Sequence, residues 1–425
     1  MSAIVRPTKK VGDARAVGWV VGSLVCIALI AGRSACAEDR SGPAWRAAHQ
    51  LVNAQLPSGQ FAFEHDFLLG GKRPDTELGF GQVAYITRQA AAAYGLSRYY
   101  LYDKEPDLAR ALVAVLRNFA KNSVPIDKAT GQQLLESTGI LTLPFGRYKL
   151  HGTLKRLGLL YRPSGEGQLV SYDRSHETAW GGATALALLT ELQFYRANHD
   201  GRFASLRRAW LRGLLVLYDG VGGFRTLPDS IDENDLSNGE VWLALAYYTR
   251  LFPDDRATAA IVARVDRYLM QNYAARPNTI FYSWAMKAAA ERHVAVSDPK
   301  FVEFIAQQTR TYLDSTRTPS DLGENSCADV EGLAAAYHVL NGVAHPNHNL
   351  IGRLRQRISS EMTKNLALQI QPHQTRIELG SNTYLISPSV IENAGAFLAG
   401  KHQPYVRIDY TEHCICALVE LSQRP

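Results

Sequence analysis

From about residue 43 to 422, apolar positions recur three and four apart, the spacing that puts them on one face of a helix. The pattern predicts helices over 43–56, 81–102, 106–121, 176–197, 203–218, 237–252, 256–274, 280–291, 298–315, 328–340, 348–366, 384–398 and 408–422. Two kinds alternate. "RQAAAAYGLSRYY", "ETAWGGATALALLTELQFY", "GEVWLALAYYTRLF", "SWAMKAAAERH", "EGLAAAYHVL" and "EHCICALVEL" are rich in Ala, Leu and Gly on every face, so they are expected to be buried on all sides. "RATAAIVARVDRYLMQNY" and "LIGRLRQRISSEMTKNL" carry a charged stripe and read as an outer layer.

Anchoring the inner set at Gln89, Glu177, Glu240, Trp284, Glu331 and His413 gives steps of 88, 63, 44, 47 and 82 residues. The longest steps are close to twice the shortest, so one helical hairpin recurs every ~45 residues. Glycine two residues before phenylalanine ("GQF" at 59–61, "GGF" at 222–224, "GAF" at 395–397) supplies turn signals; the first two follow expected helix ends, the third falls within or at the end of a helix. The expected fold is all-α: an (α/α) toroid of six to seven hairpins in one domain, 38–425, with parallel inner helices ringed by outer ones. A β-type insertion at about 129–175 breaks the pattern, carries Arg147, Lys149, Lys155, Arg156 and Arg162, and reads as lying over one mouth of the ring.

In hairpin period, "G-x-F" turns, small-residue inner helices and the stretches "RQAAAAYGLSRYY" and "VRIDYTEHCICALVEL", the chain resembles the six-hairpin glycosidase-like toroids. That superfamily serves glycoside hydrolases, sugar epimerases and polysaccharide lyases. The resemblance implies a funnel at the inner-helix N-termini that holds a sugar. It carries architecture further than reaction.

Charge alters the picture once the N-terminus is set apart. Residues 1–37 have a basic start, the uncharged run "AVGWVVGSLVCIALIAG" and "ACA" before Glu38, the layout of a secretory signal peptide; an uncleaved anchor is the alternative. The expected location is periplasmic or secreted, with membrane contact only through an uncleaved leader. Of 46 basic and 40 acidic residues, five and one lie in that segment, leaving 41 against 39. So balanced a chain gives no sign of nucleic-acid binding. Cys327, Cys414 and Cys416 remain, enough for one bridge in an oxidising compartment.

Acids at the expected inner-helix starts are the candidate chemistry. Glu177, Glu240, Asp409 and His413 are the catalytic candidates; Asp66, Arg88, Gln89, Asp173, His176, Trp180, Trp242, Trp284, Asp329, Glu331 and Arg407 are the candidate sugar contacts. Glycoside cleavage needs one protonated and one ionised carboxyl across the bond. Each residue also has a structural reading. An acid in a first helical turn offsets the macrodipole, Ser237 and Glu240 match a capping box, and tryptophans at helical spacing are commonly core. Asp409 and His413, four apart, are expected on one face, the carboxylate orienting the imidazole or stapling the last hairpin to the first. Arg407 is expected to meet a sugar carboxylate or an acid such as Glu412.

The expected function is therefore an exported carbohydrate-active enzyme acting on a polysaccharide or cell-envelope glycan, a glycoside hydrolase first, without a cofactor. An epimerase or lyase, a non-catalytic glycan-binding component of exopolysaccharide assembly, and a zinc enzyme using Cys327, His413 and Cys414 are the alternatives. No P-loop, dinucleotide fingerprint, "HExxH" or "GxSxG" is present, which argues against nucleotide-driven, zinc-protease and α/β-hydrolase chemistry.

Overall fold

A computed structural model describes residues 3–5, 41–71, 81–128, 161–230, 233–275, 278–315, 323–380 and 383–422. Its helices run α1 (Pro43–Asn53), α2 (Gly81–Tyr102), α3 (Pro106–Lys121), α4 (Gly181–Asn198), α5 (Ala204–Leu217), α6 (Asp235–Leu251), α7 (Arg256–Ala275), α8 (Thr279–Val296), α9 (Pro299–Ser315), α10 (Cys327–Gly342), α11 (His348–Ala367), the one-turn α12 (Ser389–Glu392) and α13 (Ile408–Ser422). The inner set is α2, α4, α6, α8, α10 and α13. Each packs on the next, and α13 returns onto α2, so six hairpins close into a toroid. Starts meet starts, as Glu331 of α10 meets His413 of α13, and ends meet ends, as Arg196 of α4 bonds Tyr247 of α6 at 3.0 Å. The six inner helices therefore run parallel.

The "G-x-F" turns show how a hairpin is jointed. Phe61, Phe224 and Phe397 each form an isolated bridge to a residue just past an outer helix, namely Gln55, Tyr218 and Gln369. Each phenylalanine N–H also donates to a side chain of the following inner helix: Gln89 at 2.7 Å, Asn238 at 2.9 Å and Thr411 at 3.4 Å. The third turn is thus a full equivalent of the first two. At Gly395 the backbone turns left-handed (φ +94°) against the Arg46 carbonyl, leaving no room for a β-carbon.

Between the layers, buried carboxylates are pinned by arginine. Glu191 of α4 takes two bonds from Arg207 of α5 (2.7 and 2.8 Å), and Asp266 of α7 takes Arg292 of α8 at 2.9 Å and the Trp242 indole at 2.8 Å. The strands are short: β1 (Ala3–Val5), β2 (Glu64–Asp66), β3 (Ser123–Lys128), β4 (Tyr161–Val170), β5 (Arg376–Gly380), β6 (Thr383–Ile386), β7 (Leu398–Gly400) and β8 (Gln403–Arg407). They form antiparallel sheets ordered β1-β6-β5, β2-β8-β7 and β3-β4.

Three expectations change. The helix expected from 176 begins at Gly181, because Trp180 N–H bonds Val170 and Ala179 bridges Ser171, holding 171–180 in a loop. The helix expected over 384–398 is β6, the single turn α12 and the start of β7; Pro388 and the left-handed Gly395 forbid a continuous helix. The capping box fails too. Asn234 caps α6, accepting from Leu236 N–H at 3.0 Å and Ser237 N–H at 3.2 Å, so Glu240 lies past the first turn. Of the insertion, 129–160 lies outside the described residues; β3 and β4 form its antiparallel base, and Arg162 is exposed. No described helix is long and apolar enough to cross a membrane; residues 6–40, including the uncharged run 16–32, lie outside the described part.

A Cys327–Cys414 disulfide ties the start of α10 to α13 across 87 residues of chain. Loop-closure entropy predicts a stabilisation on the order of 4 kcal/mol. Denaturant midpoints with and without a thiol reductant measure it; a midpoint that does not fall on reduction would mean the bridge does not constrain the unfolded chain.

Candidate active site

The parallel inner helices bring five ionisable side chains together on the ring axis, four near helix starts and Lys287 from mid-helix: Glu240 (α6), Lys287 (α8), Glu331 (α10), and Glu412 and His413 (α13). Glu331 is the hub. One oxygen takes the Lys287 ammonium and the other lies 2.6 Å from His413 Nδ1, which is also 3.1 Å from Glu412. Lys287 sits 3.7 Å above the Trp284 ring, so the cation is held by an aromatic face as well as by charge. Glu331 and Glu412 are fully buried, Glu240 is 2 % exposed and Lys287 7 % exposed. The His413 side chain, at 21 %, is the most open of the five.

Glu240 stands apart within this group. Its Oε2 is buried and has no hydrogen-bond partner among the described residues. It fits because α4 carries glycine opposite: a β-carbon on Gly182 would lie 1.9 Å from that oxygen. Burial pushes the Glu240 carboxyl up to about 8, against the pull of Lys287 and His413. Burial likewise pushes Glu412 up to about 7. Burial also raises Glu331, but Lys287 and His413 outweigh it and hold that carboxyl below its usual range. For His413 burial favours the neutral ring, and Glu412 and Glu331 overcome it, raising its pKa. At neutral pH one buried carboxyl is thus protonated beside another that is ionised.

The other sequence candidates divide by helix phase and by partner. Trp284 joins the cluster. Trp242, two residues after Glu240, points the other way, fully buried against Asp266 and Phe281 in the layer between rings. Asp329, two before Glu331, likewise faces outward toward Tyr312 of α9, and burial raises its pKa. Gln89 is taken up by both backbone groups of Phe61 (2.7 and 2.8 Å). Asp66 caps its own turn, accepting from Leu68 and Leu69 N–H at 2.8 and 3.1 Å.

Asp409 does not orient His413. Its oxygens go to Arg88 of α2 and to Arg407, whose Nε lies at 2.9 Å, so it staples the last hairpin to the first. Arg407 accordingly meets Asp409 rather than Glu412. Asp173 accepts from Ser175 N–H (3.0 Å) and the Thr178 hydroxyl (2.5 Å), which with the latter foremost lowers its pKa. His176 Nε2 lies 2.7 Å from the Pro125 carbonyl. Glu177 is exposed in the short 3-10 turn His176–Thr178 ahead of α4, outside the cluster, and Trp180 is the residue just before α4 begins.

The zinc set is overturned, since the sulfurs of Cys327 and Cys414 are bonded to each other. Among the described residues, Glu331, Glu412 and His413 offer ligand atoms within 4.8 Å of one another and form a group that could hold a metal ion, with the Lys287 ammonium already on Glu331. Lys287 and Glu412 were not singled out from sequence as site residues. A signal existed for Lys287: Trp284 holds the place on α8 that Glu240 holds on α6, and Lys287 follows it by three residues, on the same face one turn further along.

The raised Glu240 pKa makes stability depend on pH. The folded state holds a proton up to about 8 that an unfolded carboxyl releases near its ordinary 4.5, so this contribution is complete below the lower value and is lost as pH rises through the upper one. Relative to Glu240→Gln, the unfolding free energy of the natural protein is expected to fall by on the order of 4 kcal/mol between about pH 5 and 9. Urea titrations across that range check it; a constant difference would show the carboxyl to be solvated.

No family model matches the chain, and no curated protein matches it in sequence. Its structure is similar to the GH76A α-1,6-mannanase of Salegentibacter sp. HEL1_6, with a TM-score of 0.57 at 10% identity over 90% of this chain and 99% of that one. It is similar also to an unsaturated glucuronyl hydrolase specific for heparin (TM-score 0.53, 10% identity, 89% and 95% covered). An endoglucanase of the termite Nasutitermes takasagoensis gives 0.50 at 13% identity, with 91% and 100% covered. At such identities the likeness speaks for architecture. The chain has the six-hairpin glycosidase-like α/α-toroid fold.

Proposed function

We propose that the protein is an exported glycoside hydrolase acting on a polysaccharide or cell-envelope glycan. Glu240 is the proton donor, and Glu331 is the ionised carboxylate of the pair. The observation that carries this is that two buried acids with Lys287 and His413 as common neighbours are driven to opposite charge states. One is kept protonated by burial, with an Oε2 that no hydrogen bond engages among the described residues; the other is kept charged by an ammonium and an imidazole. Environments that drive two carboxyls apart in this way mark acid and base roles. His413, the most open member, is the side chain of the cluster that a ligand would meet first. Glu177 serves as a rim contact at most, being exposed and outside the cluster.

The similar structures support a glycan as substrate: inactive variants of the Salegentibacter mannanase are described in complex with α-1,6-mannotetraose and α-1,6-mannotriose. The disulfide supports export, because such bonds persist in oxidising compartments. In this reading residues 1–37 are a leader removed before Glu38, so that β1 leaves with it and β5 and β6 remain as a two-stranded hairpin. One observation favours a second reading, epimerisation or elimination at a uronate. His413, paired with Glu331 and partly open, would in its neutral form, reached only above its raised pKa, abstract a ring proton beside the cation Lys287.

A panel of α-1,6-mannooligosaccharides, unsaturated glucuronides and β-1,4-glucans, assayed for new reducing ends, tests the proposal. Glu240→Gln and Glu331→Gln are each expected to lower kcat by roughly 100-fold or more, and Glu177→Gln by less than about threefold. Deuterium uptake from solvent without cleavage, or cleavage that leaves an unsaturated non-reducing end, would favour the second reading. Binding without turnover of any glycan would sink both in favour of a glycan-binding component.

A further inference from the structure

Beside Glu240 stands a second buried polar atom without a partner. Trp180 Nε1 makes no hydrogen bond among the described residues, although its hydrogen is a donor that a buried site leaves unused at a cost. Both orphans face one spot. The point where a β-carbon on Gly182 would sit is 1.9 Å from Glu240 Oε2 and 3.1 Å from Trp180 Nε1. One group is a donor without an acceptor, the other an oxygen without a donor, and both border the space that the absent side chain of Gly182 leaves.

The tryptophan backbone is fixed for this purpose. Its N–H bonds the Val170 carbonyl at 3.2 Å, and its own carbonyl accepts from Thr184 N–H at 3.1 Å and the Thr184 hydroxyl at 2.9 Å, anchoring the residue between β4 and α4. The Glu240 carboxyl, by contrast, is the end of a flexible side chain. We propose that the Trp180 indole N–H is a positioning donor that receives the Glu240 carboxylate once Glu240 has given up its proton. The proposal rests on Glu240 being the acid of the reaction.

The chemistry follows from charge. As a neutral acid Glu240 is a weak acceptor and gains little from an indole. After it protonates a leaving oxygen it is a buried anion, and Lys287 is committed to Glu331. A bond from N–H to carboxylate is charge-assisted and stronger than one to a neutral acid. Trp180 therefore stabilises the state that proton transfer creates, without touching the substrate. Removing it should raise the Glu240 pKa, since a donor to the ionised form is lost.

The test reads the indole directly. In uniformly nitrogen-15-labelled full-length protein, the Trp180 indole resonance is the one missing from Trp180→Phe. It is expected to move downfield as pH is raised through about 8 and to stay still in Glu240→Gln. A resonance that does not shift between about pH 6 and 10, or that shifts equally in Glu240→Gln, overturns the proposal. With a turned-over glycan from the panel, Trp180→Phe is expected to lower kcat about 10- to 100-fold with KM nearly unchanged. The alkaline limb should move to higher pH, and Trp180→His, which keeps an N–H, should recover part of the rate. A uniform loss with an unmoved limb would make Trp180 a wall of the site only. If no glycan is turned over, the hydrolase reading falls while the indole titration still decides this one.

Discussion

A ring of six parallel helices has to close, and here closure joins segments more than 300 residues apart. Arg88 reaches Asp409 near the helix starts, and Arg98 reaches Glu420 near the ends, spanning 321 and 322 positions. Bringing such ends together costs roughly 5 kcal/mol in chain entropy. The return comes from apolar surface: the inner helices bury nearly every face, so each hairpin leaves an uncovered side until the last meets the first. Ion pairs at the seam add register more than energy, because burying two charges offsets much of their attraction.

Closure also sets the rules for charge inside. A buried carboxylate is tolerable if a cation and hydrogen bonds satisfy it. In the layer between rings that condition is met outright, by Arg207 on Glu191 and by Arg292 with Trp242 on Asp266. These pairs are saturated and fixed. On the axis three carboxyls share one lysine and one histidine, and the shortfall is met by protonation rather than by another cation. The same physics that makes the layer pairs inert leaves the axial group titratable.

Much of this was legible because helices are regular. The hairpin period, the small-residue inner helices and the closed toroid all follow from spacing. Which face a residue takes follows from 100° per residue: with Glu240 on the axis, Trp242 must face outward, and with Glu331 on the axis so must Asp329. That step was available, yet grouping residues by nearness to a helix start hid it. Other misses depended on partners distant in sequence. Nothing local says that Gln89 clasps Phe61, or that Asp409 would find Arg88 before His413. The helix expected at 384–398 had the apolar spacing but also Pro388 and Gly395, whose backbone demands outrank periodicity.

The axial cluster differs from the arginine–carboxylate pairs of the layer in that its proton inventory can change. With Glu240 and His413 protonated and Glu331 and Glu412 ionised, the five axial groups sum to zero. Losing one proton takes such a group to a net charge of −1, and regaining it restores neutrality. A saturated arginine–carboxylate pair cannot do this, because its cation never titrates in the working range. Lys287 supplies the fixed charge against which the others exchange theirs, and its bond to Glu331 decides which carboxyl stays ionised. The asymmetry that acid–base chemistry requires is thus produced by one lysine on one inner helix, facing a neighbour a single hairpin period away.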